Sequence, residues 1–349
     1  MRKQLAIFAS ALALCAGTLA IQASAQDAAA GRTASYQDHF DAANMLAAQD
    51  LAGRNLYDCK TPPVSAAPTG KPMVAPPTKV FDQLYYLGTN IVASWALVTS
   101  AGIIQIDTLN NTDDAQNIIL ADYKKAGLDP SQIKYIILTH GHGDHFGGAK
   151  YLQDTYHMHI LMSAADWDMV AVGAKEPNFP TPPARDMDIT DGQKLTLGDT
   201  TITFYVTPGH TPGTVSMLVP VTDHGVKHLL SFWGGSAMPR TLEPNPSGGR
   251  ADSGLLTYKQ SFQRFLKIGE DAGVDGFIAN HPYRDQTYID GKDDKLTKLA
   301  ARKPGDPSPW IGRSTYIRYM MIGLECLEGQ IAWIQAGKPQ AVSSADSSH

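Results

Sequence analysis

His140, His142, Asp144 and His145 crowd three imidazoles and a carboxylate into six consecutive positions, within Thr139-His140-Gly141-His142-Gly143-Asp144-His145. Imidazole and carboxylate are the protein ligands of a borderline ion such as zinc. The apolar run Tyr135-Ile136-Ile137-Leu138 before them reads as a buried strand. In an extended segment, side chains two apart share a face, so His140 and His142 can aim at one ion. Asp144 and His145 follow where the chain turns toward a helix, so they can face a second ion. The pattern predicts two metals a few ångströms apart.

Two further histidines stand at expected strand ends. Thr207-Pro208-Gly209-His210-Thr211-Pro212-Gly213 closes one strand, and Ala279-Asn280-His281-Pro282 closes another. Glycine and proline turns leave such side chains little freedom. Each alone reads equally as an ordinary loop histidine. Together with the first motif they complete a set of six donors. His157, His159, His224 and His228 find no such company in the sequence.

Elements to position these groups are legible. Strands are expected at Leu84–Gly88, Val92–Val98, Ile103–Asp107, Tyr135–Leu138 and His157–Met162. A helix headed by Thr112-Asp113-Asp114 should run to near Gly127, and another should cover Phe146–Thr155. Ala174–Asp188, with four prolines, reads as irregular: a loop bordering the site or a plain connection. Lys194–Leu197 and Thr201–Val206 form an expected hairpin about Gly198-Asp199. Val215–Val219, His228–Phe232 and Gly276–Ala279 complete the strands. Leu255–Ile268 and Ser314–Ile334 are the long helices, and Tyr36–Asp50 a shorter one. Strands and helices alternate in two batches, so the fold class is α/β, with two sheets packed face to face and helices outside.

The chain of 349 residues opens with Met1-Arg2-Lys3, an apolar run to Ile21 and Ala23-Ser24-Ala25. That describes a signal peptide over 1–25 and a periplasmic or secreted product. The run is short for a permanent membrane anchor. Leu14 is too large for the position before a lipidated Cys15. Loss of Arg2 and Lys3 takes the formal charge from −5 to −7, which leaves no basic field for nucleic acid. Residues 26–79 should hold the short helix and a proline-rich arm, and 338–349 a flexible tail. Cys59 and Cys326 can pair in an oxidising compartment or stand as separate buried thiols.

His140-x-His142-x-Asp144-His145, then His210, then His281, resembles the metallo-β-lactamase superfamily, over roughly Val80 to Pro282. The resemblance implies an αβ/βα sandwich over 80–337, two mixed sheets with the metals at their common edge. It implies that His140, His142 and His210 hold one Zn2+ and that Asp144, His145 and His281 hold a second. Asp107 matches the superfamily's early structural aspartate. Asp144 would be the catalytic carboxylate, orienting a hydroxide held by the metals and passing a proton to the leaving group. Many superfamily hydrolases carry a bridging aspartate near Phe232–Ala237, and one lactamase group carries a cysteine. Neither occurs from Leu229 to Arg240. That pattern is similar to subclass B3. Ser236 would then touch a substrate carboxylate, while Gly234 departs from the serine often found in that subclass. Arg284 is a further candidate for that carboxylate, with a surface ion pair as its alternative. Trp233 is either a wall of the site or core. The implied activity is β-lactam hydrolysis on a small-molecule substrate. Hydrolysis of another cyclic amide or a lactone is the alternative, and a metal-binding module without turnover the more remote one.

Overall fold

The computed structural model describes residues 34–47, 51, 59 and 71–338. The expected signal peptide, most of the proline-rich arm and the tail beyond Lys338 lie outside the described residues.

Seven strands form one sheet in chain order: β1 (Thr78–Lys79), β2 (Leu84–Gly88), β3 (Ala93–Thr99), β4 (Gly102–Ile106), β5 (Ile133–Ile137), β6 (His159–Ser163) and β7 (Met187–Ile189). β1 to β4 are an antiparallel meander, and β4 to β7 run parallel. Parallel neighbours need long crossovers, which explains the helices between them. The second sheet holds β8 (Lys194–Leu197), β9 (Thr200–Val206), β10 (Val215–Asp223), β11 (Val226–Trp233) and β12 (Gly276–Ala279), ordered β12-β11-β10-β9-β8. Only β11 and β12 are parallel there, and the helix Gly254–Ala272 makes that crossover. Both sheets are mixed, as the αβ/βα sandwich requires.

Alternation along the strands sorts side chains into layers. Leu84, Tyr86, Trp95, Leu97, Ile104 and Ile106 meet Phe204, Met217, Val219 and Phe232 between the sheets. Leu87, Ala96 and Ile103 face outward onto Ile119, Tyr123 and Leu152 of the first helical layer. Phe262 and Phe265 pack with Met320 and Leu327 of the helix Arg313–Gln335 over the second sheet. The helix Tyr36–Ala47 rests on that last helix. Tyr36 meets Trp333 edge-on at 4.7 Å, and His39 Nδ1 lies 2.7 Å from Glu325 Oε2. Cys59 and Cys326 form a disulfide, with Cα atoms 4.8 Å apart, so the paired alternative is the one found.

Four local expectations change. Asn111, not Thr112, caps its helix: its side chain accepts from Asp114 N. The helix expected over Phe146–Thr155 is two, Gly143–Phe146 and Ala149–Tyr156, parted at Gly147 and Gly148. A helix at Ala164–Gly173 has no forecast counterpart, because Trp167, Met169, Val170 and Gly173 are buried on several sides and leave no stripe to read. β7 begins inside the stretch expected to be irregular and runs one residue past its end.

The disulfide closes a loop of 267 residues and pins the N-terminal arm to the last helix. Cys59→Ser should lower stability by about 3 kcal/mol. Denaturant unfolding under oxidising conditions checks this, and an unchanged midpoint would contradict it.

Candidate metal centre

β4 and β5 run parallel, as do β11 and β12. β9 and β11 both run antiparallel to β10, so they share a direction. The loops leaving these five strands carry Asp107, His140–His145, His210, Gly234–Ala237 and His281, and all meet at one edge of the sandwich. Bonds between the two sheets lock that edge. Ala93 N donates to Asn280 O at 2.8 Å, Val215 N to Thr139 O at 2.8 Å, and Trp95 Nε1 to Ala279 O at 3.0 Å.

The six expected donors come together there in two neighbouring groups. His210 Nε2 lies 3.0 Å from His140 Nε2 and 3.0 Å from His142 Nδ1. His145 Nε2 lies 3.2 Å from Asp144 Oδ2 and 3.3 Å from His281 Nε2, and Asp144 Oδ2 is 3.7 Å from His281 Nε2. The rings of His140 and His145, 4.1 Å apart between centroids, join the groups. Donor atoms of His140, His142 and His210, and of His140, Asp144 and His145, each fall within 4.8 Å of one another.

The outward nitrogens decide what the inward ones are. His140 Nδ1 donates to Gly234 O at 2.9 Å, His210 Nδ1 to Ala237 O at 2.8 Å and His281 Nδ1 to Ile91 O at 2.7 Å. A carbonyl oxygen only accepts, so each ring keeps its N–H outward. When the ring is neutral, the inward Nε2 is a bare lone pair. Two such lone pairs 3.0 Å apart, on His140 and His210, cannot hydrogen-bond to each other. A cation between them resolves the contact, and ligands of a tetrahedral zinc at about 2.05 Å stand roughly 3.3 Å apart. The donor set fits a metal on that ground.

Burial, with the neighbouring imidazoles, holds His140 and His210 well below the usual histidine range. Burial, then His145, pushes His281 down to about 4. His145 goes the other way. Burial lowers it, but Asp144 and Asp107 outweigh burial and carry it up to about 10. Burial alone would raise Asp144, yet His145, His281 and His142 leave its carboxyl well below the usual range.

A layer of supporting groups holds the donors. Asp107 sits at φ 57, a left-handed turn that Asp tolerates better than most residues. Its Oδ1 accepts from Thr139 N at 2.8 Å. Its Oδ2 accepts from Thr139 Oγ1 and from His145 Nδ1, each at 2.8 Å. Asn280 Nδ2 donates to Gly234 O at 2.6 Å. Gly234 admits no side chain, since a Cβ there would sit inside the contact distance of Val215 O. Asp166 was not forecast. It is fully buried, and burial raises its carboxyl to about 6 although Thr211, Gly141 and Gly213 donate to it. Its sequence signal, Ser163 three residues earlier as a helix cap, marks a helix start and nothing about a site.

The other named residues divide. Ser236 is buried beside Ala237, and its Oγ has no hydrogen-bond partner among the described residues. Arg284 is only 2% exposed, its guanidinium 5.4 Å from the Tyr283 ring, so it lies in the interior and not on the surface. Trp233 is core: its ring lies 4.2 Å from Phe262, and its Nε1 donates to Tyr258 Oη at 3.1 Å. Pro180 packs directly on Gly143, so the proline-rich segment borders the loop of Asp144 and is more than a connection. His159 pairs with Asp186 at the surface and His228 with Asp275 in a part-buried position, and neither is among the two donor groups.

Residues 87–224 match the metallo-β-lactamase superfamily. The structure is similar to that of a subclass B3 metallo-β-lactamase of Bradyrhizobium japonicum, with a TM-score of 0.62 and 25% identity. The alignment covers 76% of this chain and 97% of that one. A mutant metallo-β-lactamase of Cronobacter sakazakii gives a TM-score of 0.63 at 26% identity, covering 76% and 98%. An N-acyl homoserine lactonase of Azorhizobium caulinodans is 28% identical over 168 residues, 44% of this chain. The match spans 63% of that relative's length. The match over residues 87–224 and a sandwich shared with subclass B3 structures are what this chain has in common with the metallo-β-lactamase superfamily.

Proposed function

We propose that the protein is an exported di-zinc hydrolase that opens the β-lactam amide. The observation that carries this reading is the absence of any bridging side chain beside the six donors. There is no Asp or Cys from Leu229 to Arg240, and Gly234 cannot hold a side chain. The subclass B3 structures support it, since the alignments run through 97% and 98% of their chains at 25% and 26% identity. The lactonase match, at 63% of that relative, favours the second reading, hydrolysis of a lactone.

In this reading His140, His142 and His210 hold one ion, and Asp144, His145 and His281 the other. Zinc would supply Lewis acidity and a water acidic enough to yield a nucleophile near pH 7. The chain's own groups do the rest. Asp144, ionised and with its side chain 32% exposed, can accept a proton from that water and deliver it to the departing amide nitrogen. The back-bonds of His140, His210 and His281 hold their Nε2 atoms bare and aimed, so no reorganisation is needed during turnover. Ser236 and Arg284 are the proposed contacts for a substrate carboxylate, and Trp233 is not retained for that role. Export rests on the leader expected over residues 1–25 and is supported by the Cys59–Cys326 disulfide, since such bonds persist in oxidising compartments. Among the described residues no helix is long and apolar enough to cross a membrane.

The two halves should differ in pH response. His145 carries a proton up to about pH 10 in the metal-free protein, whereas His140, His210 and His281 are neutral at pH 7. A ligand nitrogen must be bare, so an ion at His145 displaces a proton and binds more weakly as pH falls. Dialysis from pH 8 to 5 should therefore remove zinc in two steps, the half with His145 first. Loss of both ions in one step would contradict this.

The substrate is tested with nitrocefin, a carbapenem and acyl-lactones on the zinc-loaded protein. Lactam turnover that a chelator abolishes is expected. Preferential opening of lactones would install the second reading, and no turnover of either would leave the metal-binding module. Asp144→Asn should lower kcat on the turned-over substrate by about 100-fold or more while most of the zinc stays bound. Full activity in that variant would remove Asp144 from the chemistry.

A further inference from the structure

We propose that Asp166 is the positioning residue for the His140, His142 and His210 half of the centre. The inference rests on the reading of that half as a metal site. Asp166 lies in the first turn of the helix Ala164–Gly173 and is wholly buried. Its Oδ2 accepts from Gly141 N at 2.8 Å and from Thr211 Oγ1 at 2.7 Å, and its Oδ1 accepts from Gly213 N at 2.7 Å. Gly141 stands between two proposed ligands, and Thr211 directly follows the third. One carboxylate therefore ties together two loops about 70 residues apart in sequence, each carrying part of the same three-histidine set.

The geometry is specific to this job. Asp166 acts through backbone and hydroxyl donors on either side of the rings. The loop of His210 approaches it so closely that a Cβ on Gly213 would stand 2.8 Å from both Asp166 N and Oδ1. The same loop is drawn tight by Thr211 N donating to Thr214 Oγ1 at 3.1 Å and Thr207 N to Thr214 O at 2.8 Å. Asp107 acts elsewhere: it accepts from His145 Nδ1 and from Thr139 before His140, whereas the bonds of Asp166 go to Gly141 and to the loop of His210. All three bonds of Asp166 lie in the segments that carry His140, His142 and His210, so removing its carboxylate should loosen that half more than the other.

Asp166→Asn keeps the shape but turns an amide N–H toward groups that are themselves donors. Zinc titration of the full chain against a chromophoric chelator, with cobalt spectra as a second readout, tests the inference. One of two sites should weaken by about 10–100-fold, with an altered cobalt spectrum, while the other stays within about threefold. Thr211→Val, which removes one of the three bonds, should weaken the same site by less and covers the case in which Asp166→Asn does not fold. Wild-type affinity at both sites in a folded variant overturns the proposal. So does equal weakening of both sites alongside a lowered Tm of the metal-free protein, which marks general destabilisation. If the wild-type chain binds no zinc, the metal reading fails and not the positioning role alone.

Discussion

Imidazole lone pairs forced to face one another are the constraint from which the rest of this structure follows. His140 and His210 each commit their outer nitrogen to a backbone carbonyl, and their inner nitrogens then stand 3.0 Å apart with no hydrogen between them. Neutral imidazoles in water would turn away. Here they cannot, because the carbonyls of Gly234 and Ala237 belong to a loop fixed at the end of β11, within a locked edge of two sheets. A cation between the two nitrogens relieves the contact. Beside them the carboxylates of Asp144 and Asp107 outweigh burial and carry His145 up to about 10. The same cage that raises the basicity of one ring is the cage that suits a divalent ion.

Rigidity at that edge comes from sharing. Gly234 O accepts from both His140 and Asn280, so one carbonyl ties the β5 loop to the β12 end. Thr139 links Asp107 to the second sheet through Val215. A substitution at any of these supports moves a carbonyl or a carboxylate, and through it a ring. In metalloenzymes such partners are worth nearly as much as the ligands they orient.

Much of this was readable from the chain, and the parts that were not share a cause. The strand cores declared themselves through apolar runs and alternation, and the six donors through their spacing and their turn residues. Asp107 came only through the family resemblance, as the early aspartate that ends a strand. Asp166 escaped, because an aspartate three residues after a serine is an ordinary helix start. Its importance lies in donors at Gly141, Thr211 and Gly213 that only the folded chain brings near it. The helix Ala164–Gly173 escaped for a related reason: buried on several sides, it has no stripe. Trp233 was open between core and site because an indole beside a loop suits either, and only its packing on Phe262 and bond to Tyr258 decide.

What would separate lactam opening from lactone opening on such a site must lie where the fold leaves room for difference. The donors and their supports serve either chemistry, because both need a metal-activated water and a proton for the leaving group. Gly234 is different in kind. An aspartate at that turn would need Val215 O to move, and with it the Val215 N bond to Thr139 that helps lock the two sheets. The packing against β10 thus excludes a bridging side chain at this position, rather than merely omitting one. In a superfamily with one scaffold for many reactions, a position that cannot carry a side chain constrains the chemistry as much as the residues that do.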